Sequence, residues 1–422
     1  MYRQTQSTEQ KGGTVLSLTT KKRRYPFRFP PRRNNKTVRR VLRLLTRSRY
    51  IRNAKVHFPD NKVVLLPHGG DFFPALFQAM AEARSSICAE FYIIRNDATG
   101  TSFAHALMEA AARGLQVALI YDFIGCLETP DNYFQQLRDN GVHCLSFNKP
   151  AFSRLGLLDV RNHRKMVVID GSTAFVGSLN VGDEYAGYGD SYQHWRDTGI
   201  RLDGLAAGQL RRLFRRTWVR EGGGKIPRPP SRPSVQMPMG DAGVVIVHGT
   251  PHHARSVIGS SFRLAMAGAI RNITIMTPYF VPGPRVSRSL LRAVRNDIKV
   301  QLILPSVSDL PWVQLATRAY LAPLLNAGVE IFERQGTILH AKVMLIDDCW
   351  VMVGSANLNY RSFHRNHENN VIIDSREFGA EVQAMFVEDL RQSRRITVAE
   401  YERRTLLQRL LQWLFSPISR FL

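Results

Sequence analysis

The chain has 422 residues, 44% hydrophobic and 9% aromatic, which is ordinary for a folded globular protein with room for two domains or two halves. Its formal net charge of +24 and pI near 10.5 are not ordinary, and they predict attraction to a polyanion, either nucleic acid or an anionic membrane. No stretch is apolar and uncharged over the roughly 18 residues a spanning helix needs, and no apolar h-region opens the chain, so neither a membrane span nor a secretory signal is expected.

Residues 1–59 form a basic arm holding 17 Lys and Arg against one acid, Glu9, so +16 of the +24 sits there. Its first 36 residues are polar and Pro-punctuated and read as disordered, and the acid-poor composition also fits an organelle transit peptide. Over 37–52, Val38, Val41, Leu42 and Leu45 follow helical spacing with Arg39, Arg40, Arg43 and Arg47 on other faces. That pattern suits a membrane surface or packing on the body.

A first half is expected over 60–220, in which apolar runs and amphipathic stretches alternate: strand 63–66, helix 72–84, strand 87–94, helix 102–113 stopped by Gly114, strand 117–121, helix 132–140 and strand 142–147. A Gly-rich loop over 182–189 leads to His194-Trp195-Arg196-Asp197, strand 198–202 and a basic helix, 208–220. Residues 221–240 are a Gly/Pro linker. The second half, 241–400, repeats the order, with strands at 244–247, 273–276, 300–304 and 329–332 and helices at 256–267, 287–296 and 312–326. Alternation in both halves argues an α/β fold of two similar halves, each with its own sheet. The tail, 401–422, places Leu406, Leu407, Leu410, Leu411 and Leu414 on one stripe beside Trp413, with arginines on the same segment. It is expected either to lie in lipid headgroups, joining the arm in a membrane grip, or to pack on the body or a second subunit.

One phrase occurs twice. His163-Arg164-Lys165, four apolar residues, Asp170 and, after six more, Gly177-Ser178-Leu179-Asn180 is matched by His340-Ala341-Lys342, four apolar residues, Asp347 and, after six more, Gly354-Ser355-Ala356-Asn357. Six fixed positions match by chance in roughly one window in 10⁷ to 10⁸, so the two copies mean duplication. Each apolar run reads as a buried strand, and residues two apart share a face, so His163 points with Lys165 and His340 with Lys342. Asp170 and Asp347 should point elsewhere. Gly177 and Gly354 are expected to let the backbone approach a ligand, with Asn180 and Asn357 returning toward the His/Lys face. An ammonium, an amide and an imidazole on one surface suit a phosphoryl group: Lys supplies charge, Asn donates N–H, and His acts as nucleophile or general acid. Two such surfaces facing each other would place a histidine on either side of one phosphorus.

The doubled phrase resembles the signature of the phospholipase D superfamily, and the resemblance covers roughly residues 60 to 395. It implies two phospholipase D-like halves packed about a pseudo-twofold axis, one active site between them, no metal or other cofactor, and a covalent phosphohistidine. It implies a catalytic set of His163, Lys165, Asp170, His340, Lys342 and Asp347, with His163 as nucleophile and His340 as acid. Ser178, Asn180, Ser355 and Asn357 would contact the substrate phosphate, and Asp197 and Glu368 would each orient one histidine. Glu90-Phe91-Tyr92-Ile93, Tyr121-Asp122, Pro278-Tyr279-Phe280 and Ser308-Asp309 look like bacterial cardiolipin synthases of the short type, without N-terminal transmembrane helices. The expected substrates are phosphatidylglycerol and a second phospholipid, phosphatidylglycerol again or phosphatidylethanolamine. The expected setting is peripheral, at the cytoplasmic face of the inner membrane. Other enzymes of the superfamily remain the alternative: a phospholipase D, a phosphatidylserine synthase or a nuclease. Against nucleic acid as the partner, the charge sits on an arm with apolar helical spacing and without clustered stacking aromatics. The four cysteines lack C-x-x-C spacing and read as reduced core residues, and His252-His253, without a carboxylate or Cys at ligand spacing, reads as a loop.

Overall fold

The structure, a computed structural model, describes residues 58–150, 159–224, 240–251 and 256–404. The arm helix expected at 37–52, most of the linker, His252-His253 and the tail from 405 lie outside the described residues.

Short apolar runs become strands in the same order in each half. In the first, β1 (Phe58–Leu66), β2 (Ser86–Phe91), β3 (Gln116–Asp122), β4 (His143–Phe147), β5 (Met166–Ile169), β6 (Thr173–Gly177) and β7 (Gly199–Asp203) lie side by side as β4-β3-β2-β5-β6-β7-β1. In the second, the large sheet uses β8 (Ala242–Gly249), β9 (Asn272–Met276), β11 (Lys299–Pro305), β12 (Glu330–Arg334), β13 (Val343–Ile346), β14 (Trp350–Gly354) and β16 (Glu368–Asp374), ordered β12-β11-β9-β13-β14-β16-β8. A further strand, β17 (Ser393–Ile396), covers the β12 edge, and β10 (Phe280–Val281) pairs with β15 (Leu358–Asn359) separately. The two sheets join where β1 meets β8 across a bulge, at Phe58–Val244 and Asn61–Ala242, giving a continuous run of 15 strands. A sheet was expected in each half; the join at one edge was not.

The motif strands are apolar throughout because both of their faces are covered. Met166 and Val168 of β5 point into a core they share with Val343 and Leu345 of β13. Val167 and Ile169 pack instead with first-half helices, and Met344 and Ile346 with second-half ones. The helices Leu205–Arg220 and Arg376–Arg391 contribute Leu210, Phe214, Val382 and Phe386 to the shared core. The two halves are therefore held by burial of aliphatic surface from both sheets, which keeps the starts of β5 and β13 in fixed relation.

Three elements differ from expectation. The single helix expected over 312–326 is two, Pro311–Arg318 and Leu321–Asn326. Pro323 lacks an N–H and crowds the carbonyl four residues back, at Ala319, where the helix breaks. The strand β16 escaped notice because it opens Glu368-Asn369-Asn370, polar residues that are nonetheless buried. The helix after it was also missed, although Phe378, Val382, Met385 and Phe386 carry helical spacing and Ser375 caps it by accepting from the Phe378 N–H at 3.3 Å.

Candidate active site

The site grows from the entrances to β5 and β13. On each, the His and Lys two residues apart share a face, and the Lys Nζ folds back to the carbonyl of its own motif histidine: Lys165 to His163 at 2.9 Å and Lys342 to His340 at 2.7 Å. The four side chains are buried, and the two histidines are tied across the halves rather than within them. His340, of the second half, has its Nδ1 2.5 Å from Asp197 of the first. His163, of the first half, has its Nδ1 3.0 and 3.1 Å from the two oxygens of Glu368 of the second. Backbone bonds run the same way, with His163 N–H donating to His367 O at 2.9 Å and His340 N–H to Arg196 O at 2.8 Å. Each histidine is thus oriented by the other half, and the site exists only where the halves meet.

Nδ1 on a carboxylate leaves Nε2 of each ring for chemistry. Burial pushes His163 down to about 4, against the opposing pull of Glu368. Burial, with Lys342, pushes His340 below its ordinary value, against Asp197. Burial and the neighbouring Lys342 hold Lys165 well below the usual ammonium range, and burial brings Lys342 to about 8. Burial alone would raise the two carboxylates, yet His163 brings Glu368 below its usual range and His340 does the same for Asp197. Two lysines and two imidazoles meet in one buried cluster whose carboxylates, Glu368 and Asp197, are engaged by the histidines, and a phosphodiester suits the charge of the lysines.

The remaining motif positions sort differently from expectation. Ser178 and Ser355 were expected on the phosphate, but their hydroxyls donate to the orienting carboxylates: Ser178 to Asp197, and Ser355 to Glu368 at 2.5 Å. They position the acids instead. Asp170 and Asp347 were placed in the catalytic set, but the structure does not bring them to the histidines. Each stands at the far end of its four-residue strand, in a tight turn with φ of 52°. The Asp170 carboxylate accepts the N–H groups of Arg84, Ser85 and Ser86 at 2.7–3.0 Å, and that of Asp347 accepts those of Ile270, Arg271 and Asn272. A short polar side chain that tolerates the left-handed region and holds a neighbouring loop is needed there. Gly177 and Gly354 approach the next strand rather than a ligand: a Cβ would stand 2.6 Å from Thr198 O or 2.3 Å from Asn369 O. Asn180 accepts from Ile93 N–H at 3.2 Å, while the Asn357 side-chain oxygen is buried with no partner among the described residues.

Aromatic walls were not anticipated. Tyr92 stands edge-on to His163 with ring centres 5.2 Å apart and takes the Lys165 ammonium over its face at 5.1 Å. Tyr185 and Trp195 flank His340 at 5.4 and 5.8 Å. Asp122 accepts the Asn162 N–H at 2.7 Å and pairs with Arg161 at 3.2 Å, fixing the backbone that delivers His163. Tyr92 and Asp122 lie in stretches noticed in the sequence, but nothing in the spacing said what they would touch. His367 is held between Arg164 and Arg220 and serves as a structural histidine. Among the described residues, no group of three or more His, Cys, Asp or Glu is placed to hold a metal ion.

Comparison with known proteins agrees with this architecture. A family model described as cardiolipin synthase, phospholipase D-like domain, matches residues 76–218 and 263–390, one segment in each half. The chain is 33% identical over 364 residues to a cardiolipin synthase of Geobacillus thermodenitrificans, covering 86% of this chain and 72% of the relative. It is 34% identical over 371 residues to the major cardiolipin synthase of Bacillus subtilis, covering 87% and 77%. The solved structure of phosphatidylserine synthase from Haemophilus influenzae shares the fold, with a TM-score of 0.65 at 14% identity over 92% of this chain and 98% of that one. The chain belongs to the phospholipase D-like cardiolipin synthase family.

Proposed function

We propose that the protein is a phosphatidyltransferase that makes cardiolipin from phosphatidylglycerol and a second phospholipid, through a phosphohistidine. The observation that carries this reading is the pair of buried histidines, each with Nδ1 on a carboxylate of the opposite half and a lysine beside it. The Nε2 of neutral His163 attacks phosphorus, and the bond from phosphorus to the headgroup oxygen breaks. His340, as imidazolium, gives its proton to that oxygen, and with phosphatidylglycerol as donor the leaving group is glycerol. His340, now neutral, takes the proton of an acceptor phosphatidylglycerol hydroxyl, which attacks the phosphohistidine and frees His163. Two phosphatidylglycerols thus give one cardiolipin and one glycerol.

The carboxylate contacts support this choice of roles: the 2.5 Å contact of His340 with Asp197 favours imidazolium more than the 3.0 Å contact of His163 with Glu368, as an acid requires. Lys165, Lys342, Asn180 and Asn357 face the phosphate and offset its charge as it develops. The basic arm of residues 1–59 and the tail of 401–422 hold the enzyme peripherally on an anionic membrane at its cytoplasmic face, not on nucleic acid. The halves 60–220 and 241–400 act as one catalytic unit joined by the 221–240 linker.

Expression in cells lacking cardiolipin, followed by thin-layer separation of lipids, tests the reaction. Cardiolipin should appear with the wild-type chain and not with His163→Ala. Phosphatidic acid as the dominant product at high phosphatidylglycerol would make the protein a phospholipase, because water rather than a lipid hydroxyl would be resolving the intermediate.

A further inference from the structure

Among the described residues, several of the large apolar side chains left in water lie on the loops that follow β3, β11 and β15. Ile124 and Leu127 follow β3, and Leu127 is 61% exposed. Val307 and Trp312 follow β11, the equivalent strand of the second half, at 44% and 39%. Tyr360, 41% exposed, begins the short helix after Asn357 and β15.

These loops are built onto the site. The thiol of Cys126, next to Leu127, donates to the carbonyl of Tyr92 at 3.5 Å, and Tyr92 is the ring against His163. Trp312 opens a helix whose Val313 and Ala316 pack on Val281 and Tyr279, and the Tyr279 hydroxyl donates to Asp309 at 2.5 Å. Tyr360 precedes Arg361, which pairs with Asp159 at 2.7 Å, four residues before His163. Through Tyr92 the first loop is anchored at His163, through Arg361 the third is tied to the segment that delivers His163, and the Trp312 loop follows the equivalent strand of the second half.

Beside Tyr360 the charge is positive, while Glu128 next to Leu127 pairs with Arg95 and Asp309 before Trp312 accepts from Tyr279. Arg361 and Arg365 share the single carboxylate of Asp159, and Arg285 and Arg288 stand exposed on the helix Gly283–Val294, with Arg285 close enough to act on His364. A Trp and a Tyr at the edge, aliphatic tips beyond them and arginines behind are the composition of a surface seated at the headgroup level of a bilayer. Leaving such side chains in water around the mouth of a lipid site is unfavourable unless a lipid surface covers them.

We propose that this rim is a membrane-docking face: Ile124, Leu127, Val307, Trp312 and Tyr360 dip into an anionic bilayer so that the catalytic opening sits on the headgroups and takes lipid without extracting it into water. The inference rests on the lipid phosphatidyltransferase reading above and is separate from the attachment proposed for the arm and the tail. Attachment brings the protein to the surface, and the rim turns the opening toward it.

The experiment uses the full chain with Leu127→Asp, Trp312→Asp and the double variant, none of which touches the reacting groups. Each is assayed on vesicles of phosphatidylglycerol and on short-chain phosphatidylglycerol dispersed as monomers. The double variant should lose about tenfold or more of its rate on vesicles and stay within about twofold on monomers, since charged side chains at the lipid boundary oppose docking but not chemistry. Unchanged vesicle rates would overturn the proposal. So would an equal loss on both substrates, which would make the rim part of the site's architecture. A wild-type dimer that the double variant converts to monomer would assign the face to a second copy instead. Absence of cardiolipin from either substrate with the wild-type chain would refute the function, while sedimentation with phosphatidylglycerol vesicles would still read the rim, as weaker binding by the double variant or as no change.

Discussion

The two halves share a strand order and a motif, yet they differ where one reaction needs two different histidines. His340 meets an Asp at 2.5 Å in a single contact, and His163 meets both oxygens of a Glu at 3.0 and 3.1 Å. Behind His163, Asp122 with Arg161 clamps the incoming backbone, whereas in the second half Asp309 instead accepts from Tyr279. The motif aspartates differ too. Backbone N–H groups outweigh burial at Asp170 and bring it below the usual carboxylate range, while burial wins at Asp347 and raises it. Duplication delivered two equivalent cradles, and exchange of carboxylates across the interface joined them into one site, to which the proposal gives two roles.

The largest effects come from breaking either cradle. His163→Ala and His340→Ala should each lower kcat by roughly 10²–10⁴-fold or more. An activated phosphodiester with a nitrophenolate leaving group separates the roles, because its departure needs no proton. It should restore the first step in His340→Ala and not in His163→Ala. Equal rescue of both variants would remove the distinction between the halves.

Next come the carboxylates. Glu368→Gln and Asp197→Asn keep the shape and remove the charge, and each should cost about 10–100-fold. Asp197→Asn should show the steeper dependence on leaving-group pKa, since it weakens the acid, while Glu368→Gln should depress even the activated substrate.

The pH profile sharpens the same contrast. His163 works as the neutral base form, so its contribution to kcat/KM is lost only as pH falls through about 4. His340 works protonated, so activity is lost as pH rises through its value, which burial and Lys342 hold below 6.5 in the free protein. A bound phosphodiester anion favours imidazolium, so the alkaline limb of kcat should lie above that of kcat/KM. Coincident limbs would contradict this assignment.

The smallest catalytic effect should come from the motif aspartate. Asp170→Ala leaves the N–H groups of Arg84, Ser85 and Ser86 without their acceptor and should cost about 1–3 kcal/mol of stability in urea unfolding. Activity per folded molecule should change by less than about threefold, well short of a lost catalytic group. A large loss of kcat with unchanged stability would return Asp170 to the catalytic set.

How far the sequence could be read follows from what each residue interacts with. Most strands, most helices and the shared face of each His/Lys pair were legible, because periodicity and two-residue spacing are local properties. The contacts of the motif serines and aspartates were not legible, because recurrence marks a position without saying whether it serves chemistry or the turn that supports it. Ser355 donates to a carboxylate 13 residues on, and Asp170 holds a loop 84–86 residues back. Glu368 and Asp197 were tied to the histidines by resemblance, but that each acid serves the opposite half is a property of the packed interface. The polar start of β16 hid a buried strand for the same reason: Glu368 is polar because His163 needs it.

The central claim is that His163 becomes covalently attached to the phosphatidyl group. Rapid acid-free denaturation during turnover of phosphatidylglycerol, followed by peptide mass spectrometry, reads it directly. The account predicts a phosphatidyl adduct on the Nε2 of His163, seen in the wild-type chain, lost in His163→Ala and cleared when acceptor lipid is in excess. An adduct carried by His340 with His163 unmodified would contradict it.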